Sequence, residues 1–334
     1  MSDDNQTSIR LANKRYGENI SNGFSLFGKL WSSLIIPFAL FFIISLVLKV
    51  FLFTDIIWQL DELGSMVDII VENFYSDPNS VTELELNLMF QYLVFSFGTL
   101  MLQNMIGAIF TVIVITLVST YVLKKYNGVE TKLIQEFKNG INRKILLVIL
   151  ILGILTPLGL ILLFIPSIIL FGYYIFSIYT IHFTETENSI KEARRLSKGA
   201  FMKIIGTFLL VAFLITVVNL FYQFIVDYTF PFDASWYNPA TRNYGMIIIS
   251  EIIYNIMNIL LAPLFICILT PLFASLKAKK DLGNLYYISP KLTSPISEGD
   301  EPSESGLYCP FCGKYMMKKL RFCPHCGEGL NFET

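Results

Sequence analysis

Four of the five cysteines, Cys309, Cys312, Cys323 and Cys326, stand in the last 26 residues in the pattern C-x2-C-x10-C-x2-C. Gly313 and Gly327 directly follow the two pairs. A short CPxCG turn aims two thiolates inward, its glycine tolerates a left-handed backbone, and four sulfurs complete a closed tetrahedral shell. The spacing therefore predicts a structural zinc ribbon, with rubredoxin-like iron or a redox dithiol pair as alternatives. The clustering argues for metal rather than a disulfide framework. A full shell leaves no open position for a substrate, so the metal would serve folding. His325, inside the second knuckle, reads as solvent-facing. Lys314, Lys318, Lys319 and Arg321 on the ribbon could meet an acidic protein, nucleic acid or lipid.

A second group of polar residues lies within apolar runs: Glu251, Asn255 and Asn258 on one, Asn219 and Gln223 on another. Intramembrane ionisable groups mark permeation or proton-linked sites; interhelical hydrogen bonding, with Glu251 reaching the headgroups, is the plainer reading. A third group, Arg194, Arg195 and Lys198 in SIKEARRLSKGAFMK, could contact anionic headgroups or act only as topogenic charge. His182 reads as structural. Tyr228, Phe230, Phe232, Trp236, Tyr237 and Tyr244 read as an interfacial belt rather than a sugar-stacking surface. No nucleotide loop, nucleophile–base arrangement or metalloprotease helix occurs, so no catalytic residue is assigned and a lipid-modifying enzyme lacks support.

The elements that must carry these groups follow from composition. Of 334 residues, 54% are hydrophobic and 15% charged, with a mean hydropathy of +0.58. A water-soluble domain would lack polar side chains for its surface, so the class is a polytopic membrane protein. Spans are predicted over about 31–53, 88–123, 144–164, 167–183, 204–226 and 246–276. The second is longer than a bilayer needs and must tilt or project. Its Gln103-Asn104 sets two amides near mid-span, and Gly98, Gly107 and Ala108 allow close helix approach. The apolar block 145–183 is interrupted by Pro157, Gly159 and Pro166 and reads as a hairpin turning at Ile165-Pro166.

Between the first two spans stand Asp55, Asp61, Glu62, Asp68, Glu72, Asp77, Glu83 and Glu85 with no Lys or Arg. Ile56, Leu60, Leu63, Val67, Ile70 and Phe74 recur at helical spacing, which predicts an amphipathic helix on the outer membrane surface. Its opposite row, Asp61, Ser65, Asp68 and Glu72, reads as a solvated face rather than a divalent-cation site. Basic residues gather instead before the first span, around TKLIQEFKNGINRK, along the 189–203 segment and after the sixth span. On the other side stands Arg242, with Lys49 able to snorkel there from the first span. The positive-inside rule then predicts both termini in the cytoplasm of a multi-pass cell-membrane protein. In TKLIQEFKNGINRK the expected apolar face is Leu133, Ile134, Phe137 and Ile141. The N-cap of the basic helix is expected at Thr184, Thr186 or Ser189.

Gly23-Phe24, Gly140-Ile141 and Gly199-Ala200-Phe201 each follow a polar helical segment and precede an outgoing span. They suggest three amphipathic-helix-plus-hairpin units. The block FIPSIILFGYYIFSIYTIHFTETENSIKEARRLSKGAFMKIIG resembles the signature of a six-span prokaryotic membrane family. That family includes the YciC-like proteins and the membrane domain of some glycerophosphodiester phosphodiesterases. The matching positions are Ile165-Pro166, Ile168 to Leu170, Glu185 or Glu187, Ala193, Ser197, Lys198, Gly199 and Phe201; Ser167 replaces the family's usual glycine. The resemblance covers roughly residues 5 to 280 and implies a helical bundle rather than a reaction, since the phosphodiesterase barrel is lacking.

The expected architecture is therefore an all-α polytopic membrane protein, its six transmembrane helices arranged as three hairpins with amphipathic interfacial helices, plus a small C-terminal zinc-ribbon β module. Residues 1–30 form a cytoplasmic amphipathic segment, 31–280 the membrane domain, 281–307 a flexible linker rich in Ser, Pro and acid, and 308–334 the ribbon. The net charge of −1 argues against an ordinary basic nucleic-acid binder. The expected function is non-enzymatic: a lipid-embedded protein whose ribbon meets a cytoplasmic partner in membrane organisation, recruitment or regulation. A transporter or channel with a polar path near the fifth and sixth spans is the alternative.

Overall fold

The computed structural model describes residues 9–76, 82–162, 164–183, 188–230, 233–288, 307–308, 315–316 and 322–323. After a turn of helix over 9–12 come α1 (Tyr16–Ser76), α2 (Glu83–Tyr126), α3 (Leu133–Gly140) and α4 (Ile145–Val148). A π-helical stretch (Ile149–Leu155) leads from α4 into α5 (Thr156–Leu162), followed by α6 (Phe164–Tyr174), α7 (Ser177–Thr180), α8 (Ser189–Ser197) and α9 (Phe201–Thr229). A 3-10 turn (Ala234–Tyr237) precedes α10 (Tyr244–Ile288). Two short strands, β1 (Leu307–Tyr308) and β2 (Tyr315–Met316), pair antiparallel.

Among the described residues, α1, α2, α9 and α10 are long and apolar enough to cross a membrane. Their outward side chains, among them Ile36, Phe51, Phe213, Leu220 and Phe224, stand exposed. This is the surface of a helical membrane protein, on which lipid replaces water as solvent. The end that carries Asp55 to Glu85 and the 3-10 turn is called here the acidic end, and the opposite one the basic end.

The amphipathic segment after the first span is not a separate surface helix. It continues α1, which runs unbroken for 61 residues, or about 90 Å at ~1.5 Å per residue. No Gly or Pro interrupts the passage from Phe53 to Ile57. Val67 and Ile70 are buried as the pattern requires, and this part of α1 packs on α2, where Tyr92 lies against Gly64. The start of α2 is fixed by a capping box: the Glu85 amide donates to Thr82 Oγ1 and the Thr82 amide to Glu85 Oε2 at 2.8 Å.

In the block from Ile145 to Thr180 the two arms pack on each other, and the expected turn at Ile165-Pro166 falls inside α6. Pro166 instead occupies the first turn of α6, where its missing N–H costs nothing. Ser167 closes the hairpin, its hydroxyl donating to the Thr156 carbonyl at 2.7 Å while Gly159 leaves room for it. Upstream, the π-helical register absorbs Pro157, with the Thr156 amide bonded back to the Ile151 carbonyl.

Three further expectations are corrected. The N-cap of α8 is Asn188, whose side chain accepts from the Lys191 amide at 3.1 Å. On α3, Ile134 and Ile141 are exposed, and the packed face joins Leu133 and Phe137 to the buried Glu136 and Gly140. The C-terminal helix also runs on to Ile288, into the stretch read as linker.

The main core fills the basic end. Leu30 and Leu34 from α1, Val118 and Tyr121 from α2, Ile178 from α7 with Phe176 just before it, and Leu269 and Phe273 from α10 meet there. Tyr179 stacks on Phe273 at 4.3 Å between ring centroids and shares a hydrogen bond with Thr270 at 2.8 Å. The three glycine positions have different roles. Gly23 lies inside α1, so close to α10 that a Cβ there would come within 2.5 Å of Ile268 Cα. Gly140 ends α3 against Leu117, and Gly199 makes the turn from α8 to α9 at φ +87°. Each polar segment packs on an earlier or closing span: the start of α1 on α10, α3 on α2, and α8 on α6 and α7.

Candidate functional site

A cavity of about 380 Å³ lies between α1, α2 and α10, roofed at the acidic end by the 3-10 turn. Each helix presents polar side chains on one face: Ser45 and Lys49 on α1, Gln103 and Thr111 on α2 with Gly107 between them, and Glu251, Asn255 and Asn258 on α10. Residues three or four apart share one helix face, so three straight helices suffice to bring them together. Asn104 also reaches the cavity, and Phe38, Phe41, Phe42 and Phe110 form apolar walls.

Lys49 lies against the Gly107 backbone, its Nζ 3.1 Å from where a Cβ would stand. Gly107 is therefore the position that gives the ammonium its space. Among the described residues Lys49 forms no ion pair, unlike Lys124 with Glu136, Arg195 with Glu192 and Arg242 with Asp55. Glu251 accepts from Asn255 Nδ2 at 3.4 Å, and the same amide donates to the Glu251 carbonyl at 2.9 Å. Asn258 Nδ2 donates to Asn255 Oδ1 at 3.2 Å, and Asn219 Nδ2 donates to Asn258 Oδ1. These bonds form one chain of donors from α9 through α10 to the carboxylate.

Tyr237, 3% exposed, covers the cavity from the 3-10 turn. Burial, with the Glu251 charge adding, pushes its phenol up to about 12, so it keeps its proton. The turn is capped by Asp233, which accepts from the Ser235 amide at 2.9 Å. Arg242 ties it down: its guanidinium bonds the Asp55 carboxylate on α1, the Tyr237 carbonyl and the Tyr244 hydroxyl.

Of the residues singled out by sequence, Glu251, Asn255 and Asn258 line the cavity, and Asn219 supports it from behind. Gln223 is exposed on α9 and takes no part. The α9–α10 contact is closed by Asn219–Asn258 and by Tyr222 donating to the Ile253 carbonyl at 2.7 Å. The open space lies on the other face of α10, toward α1 and α2. Lys49 faces this space instead of snorkelling away, and Tyr237 leaves the aromatic belt to roof it. The signal that could have found Lys49 was its partner Ser45 four residues earlier, matching the stripes on the other two helices.

The remaining candidates lie apart. Arg194, Arg195 and Lys198 are exposed on α8. Arg194 stands 6.0 Å over the Tyr173 ring and Arg195 pairs with Glu192 at 2.9 Å. Lys280 joins them from α10, pushed down to about 8 by burial first and by the charges of Arg195 and Lys198 next. His182 bonds the Thr116 carbonyl at 3.0 Å, tying the chain after α7 to α2. Cys309, Cys312 and Cys326 lie outside the described residues; Cys323 is buried. Among the described residues no three His, Cys, Asp or Glu side chains gather as a metal site.

Comparison with known proteins returns no match: no family model, curated protein or solved structure aligns with the chain.

Proposed function

We propose that this chain is a non-enzymatic, multi-pass protein of the cell membrane that binds a small polar solute between α1, α2 and α10 and passes it across the bilayer. The supporting observation is the cavity of about 380 Å³ that Lys49 and Glu251 face together with Gln103, Asn104 and Asn255. Charged side chains within a bilayer cost on the order of 3 kcal/mol each, so they are kept where a water-filled site uses them. In this reading the chain has the six spans of the family it resembles, with the 145–180 hairpin supplying the third and fourth. The basic end is cytoplasmic, as are both termini, and the Asp55–Arg242 bridge holds the outer mouth shut. Flux of a radiolabelled polar-solute panel into proteoliposomes should fall at least tenfold in Glu251→Gln. Absence of flux across the panel in the unmodified protein would defeat the transport reading.

A second reading concerns the C-terminal segment. The β1–β2 pair sets Leu307 opposite Met316 and Tyr308 opposite Tyr315, flanking the Cys309–Cys312 knuckle as a ribbon hairpin would. Cys309, Cys312, Cys323 and Cys326 would then hold one structural zinc, and the tethered ribbon would recruit a cytoplasmic partner through Lys314, Lys318, Lys319 and Arg321. Thiolate zinc stabilises so short a module against unfolding. Elemental analysis should find about one zinc per chain, lost in Cys309→Ser/Cys312→Ser; a zinc-free, intact ribbon would refute it.

A further inference from the structure

The two opposite charges in the cavity do not satisfy each other. Lys49 and Glu251 line the same space from α1 and α10, near enough to interact electrostatically, yet no ion pair closes between them. Burying two opposite charges in an apolar bundle is repaid only when each finds partners. Glu251 has them in Asn255 and, through it, Asn258 and Asn219, whereas Lys49 has its Nζ beside Gly107 and no hydrogen bond or ion pair with a described residue. The amides of Gln103 and Asn104 line the same cavity, and the Phe38, Phe41, Phe42 and Phe110 rings close the apolar side. A volume of about 380 Å³ falls at the small-molecule end of ligand pockets.

We infer that the cavity binds a zwitterion, a small molecule whose ammonium pairs with Glu251 and whose carboxylate or phosphate pairs with Lys49 and the Gln103 and Asn104 amides. The inference rests on the solute-binding reading above and names its ligand class. A molecule with one charge pairs one wall and leaves the other charge desolvated and unmatched, which costs more than it gains. A zwitterion leaves the site neutral and both charges paired. A free amino acid and a phosphoethanolamine headgroup share this chemistry.

The test is calorimetric titration of the full-length protein in phosphatidylglycerol nanodiscs. The probes are ω-amino acids from glycine to 6-aminohexanoate and glycerophosphoethanolamine, with butylamine and butyrate as single-charge controls. At least one zwitterion should bind ten or more times tighter than either control, with an optimum chain length that reports the spacing of the two charges. Glu251→Gln should abolish the advantage over butyrate, and Lys49→Met the advantage over butylamine; the probe series on the unmodified protein stands even if these variants fail to fold. Repeating it in phosphatidylethanolamine nanodiscs distinguishes the source: loss of free-probe binding assigns the site to the lipid headgroup, retention to a free solute, and both uphold the inference. Equal affinity for the single-charge controls, or no binding by any probe, overturns it. Zwitterion binding without flux would defeat the transport reading alone, and flux of singly charged solutes without zwitterion preference would defeat this inference alone.

Discussion

Glu136 is a carboxylate on the packed side of a helix whose neighbours in sequence, Ile134 and Ile141, stay outside. It is 4% exposed and accepts from Lys124 Nζ and Thr131 Oγ1, each at 2.7 Å. Burial alone would raise its pKa; the hydrogen bonds from Lys124 and Thr131, with the charges of Lys124 and His182, outweigh it and hold the carboxyl below its ordinary value. A carboxylate held low in the folded protein contributes stability that is present above its unfolded value and drains away as pH falls through the folded one. Thermal unfolding in detergent should therefore show a steeper loss of Tm below about pH 4.5 in the unmodified protein than in Glu136→Gln. At pH 7, Glu136→Ala should cost about 2 kcal/mol, because it removes two hydrogen bonds to a charged group and strands Lys124. A flat pH response in both proteins would mean that the pair is idle. Gln223 gives the opposite lesson at this scale: it shares a helical row with Asn219, but one turn of helix carries it out of the packed face.

At the scale of elements, α1 and α10 approach each other backbone to backbone at Gly23. A methyl group there would meet Ile268 Cα at 2.5 Å and the Cys267 carbonyl at 3.1 Å, both backbone atoms that cannot rotate away. Gly23→Ala should thus separate the helices and destabilise the protein by about 1–3 kcal/mol, despite the gain in helix propensity. Gly28, on the same helix, has nothing within 4 Å of an added Cβ. Gly28→Ala should be neutral or stabilising by about 0.5–1 kcal/mol, which makes it the matched control in a melting comparison. Equal effects at the two positions would contradict the packing. The same contact explains why the first polar segment does not break from its span as α3 and α8 do. Gly23 is used for approach inside a continuous helix, whereas Gly199 adopts the left-handed φ that ends α8.

For the whole molecule, the topology proposed above puts the acidic end outside. Single cysteines introduced at Asp77 and Ser235 should react with an impermeant maleimide on intact cells, and one at Ser197 only after lysis; the reverse pattern would overturn the topology. The helical class, four long apolar helices, the charge asymmetry of their connections and the polarity of Glu251, Asn255 and Asn258 were all legible in the residues, because burial in lipid demands long apolar runs and internally bonded backbone. Sequence alone did not decide whether the amphipathic face of residues 56–74 would meet lipid or protein, since Val67 and Ile70 present the same spacing to either. Nor could it rotate α3 to bury Glu136, because its partner Lys124 comes from another helix. The candidate site was half legible: α10 announced its polar stripe, while Lys49, Gln103 and Tyr237 acquired meaning only when packing turned three helices and a 3-10 turn toward one space. Helical periodicity fixes which residues share a face; only the tertiary contacts decide what that face looks upon.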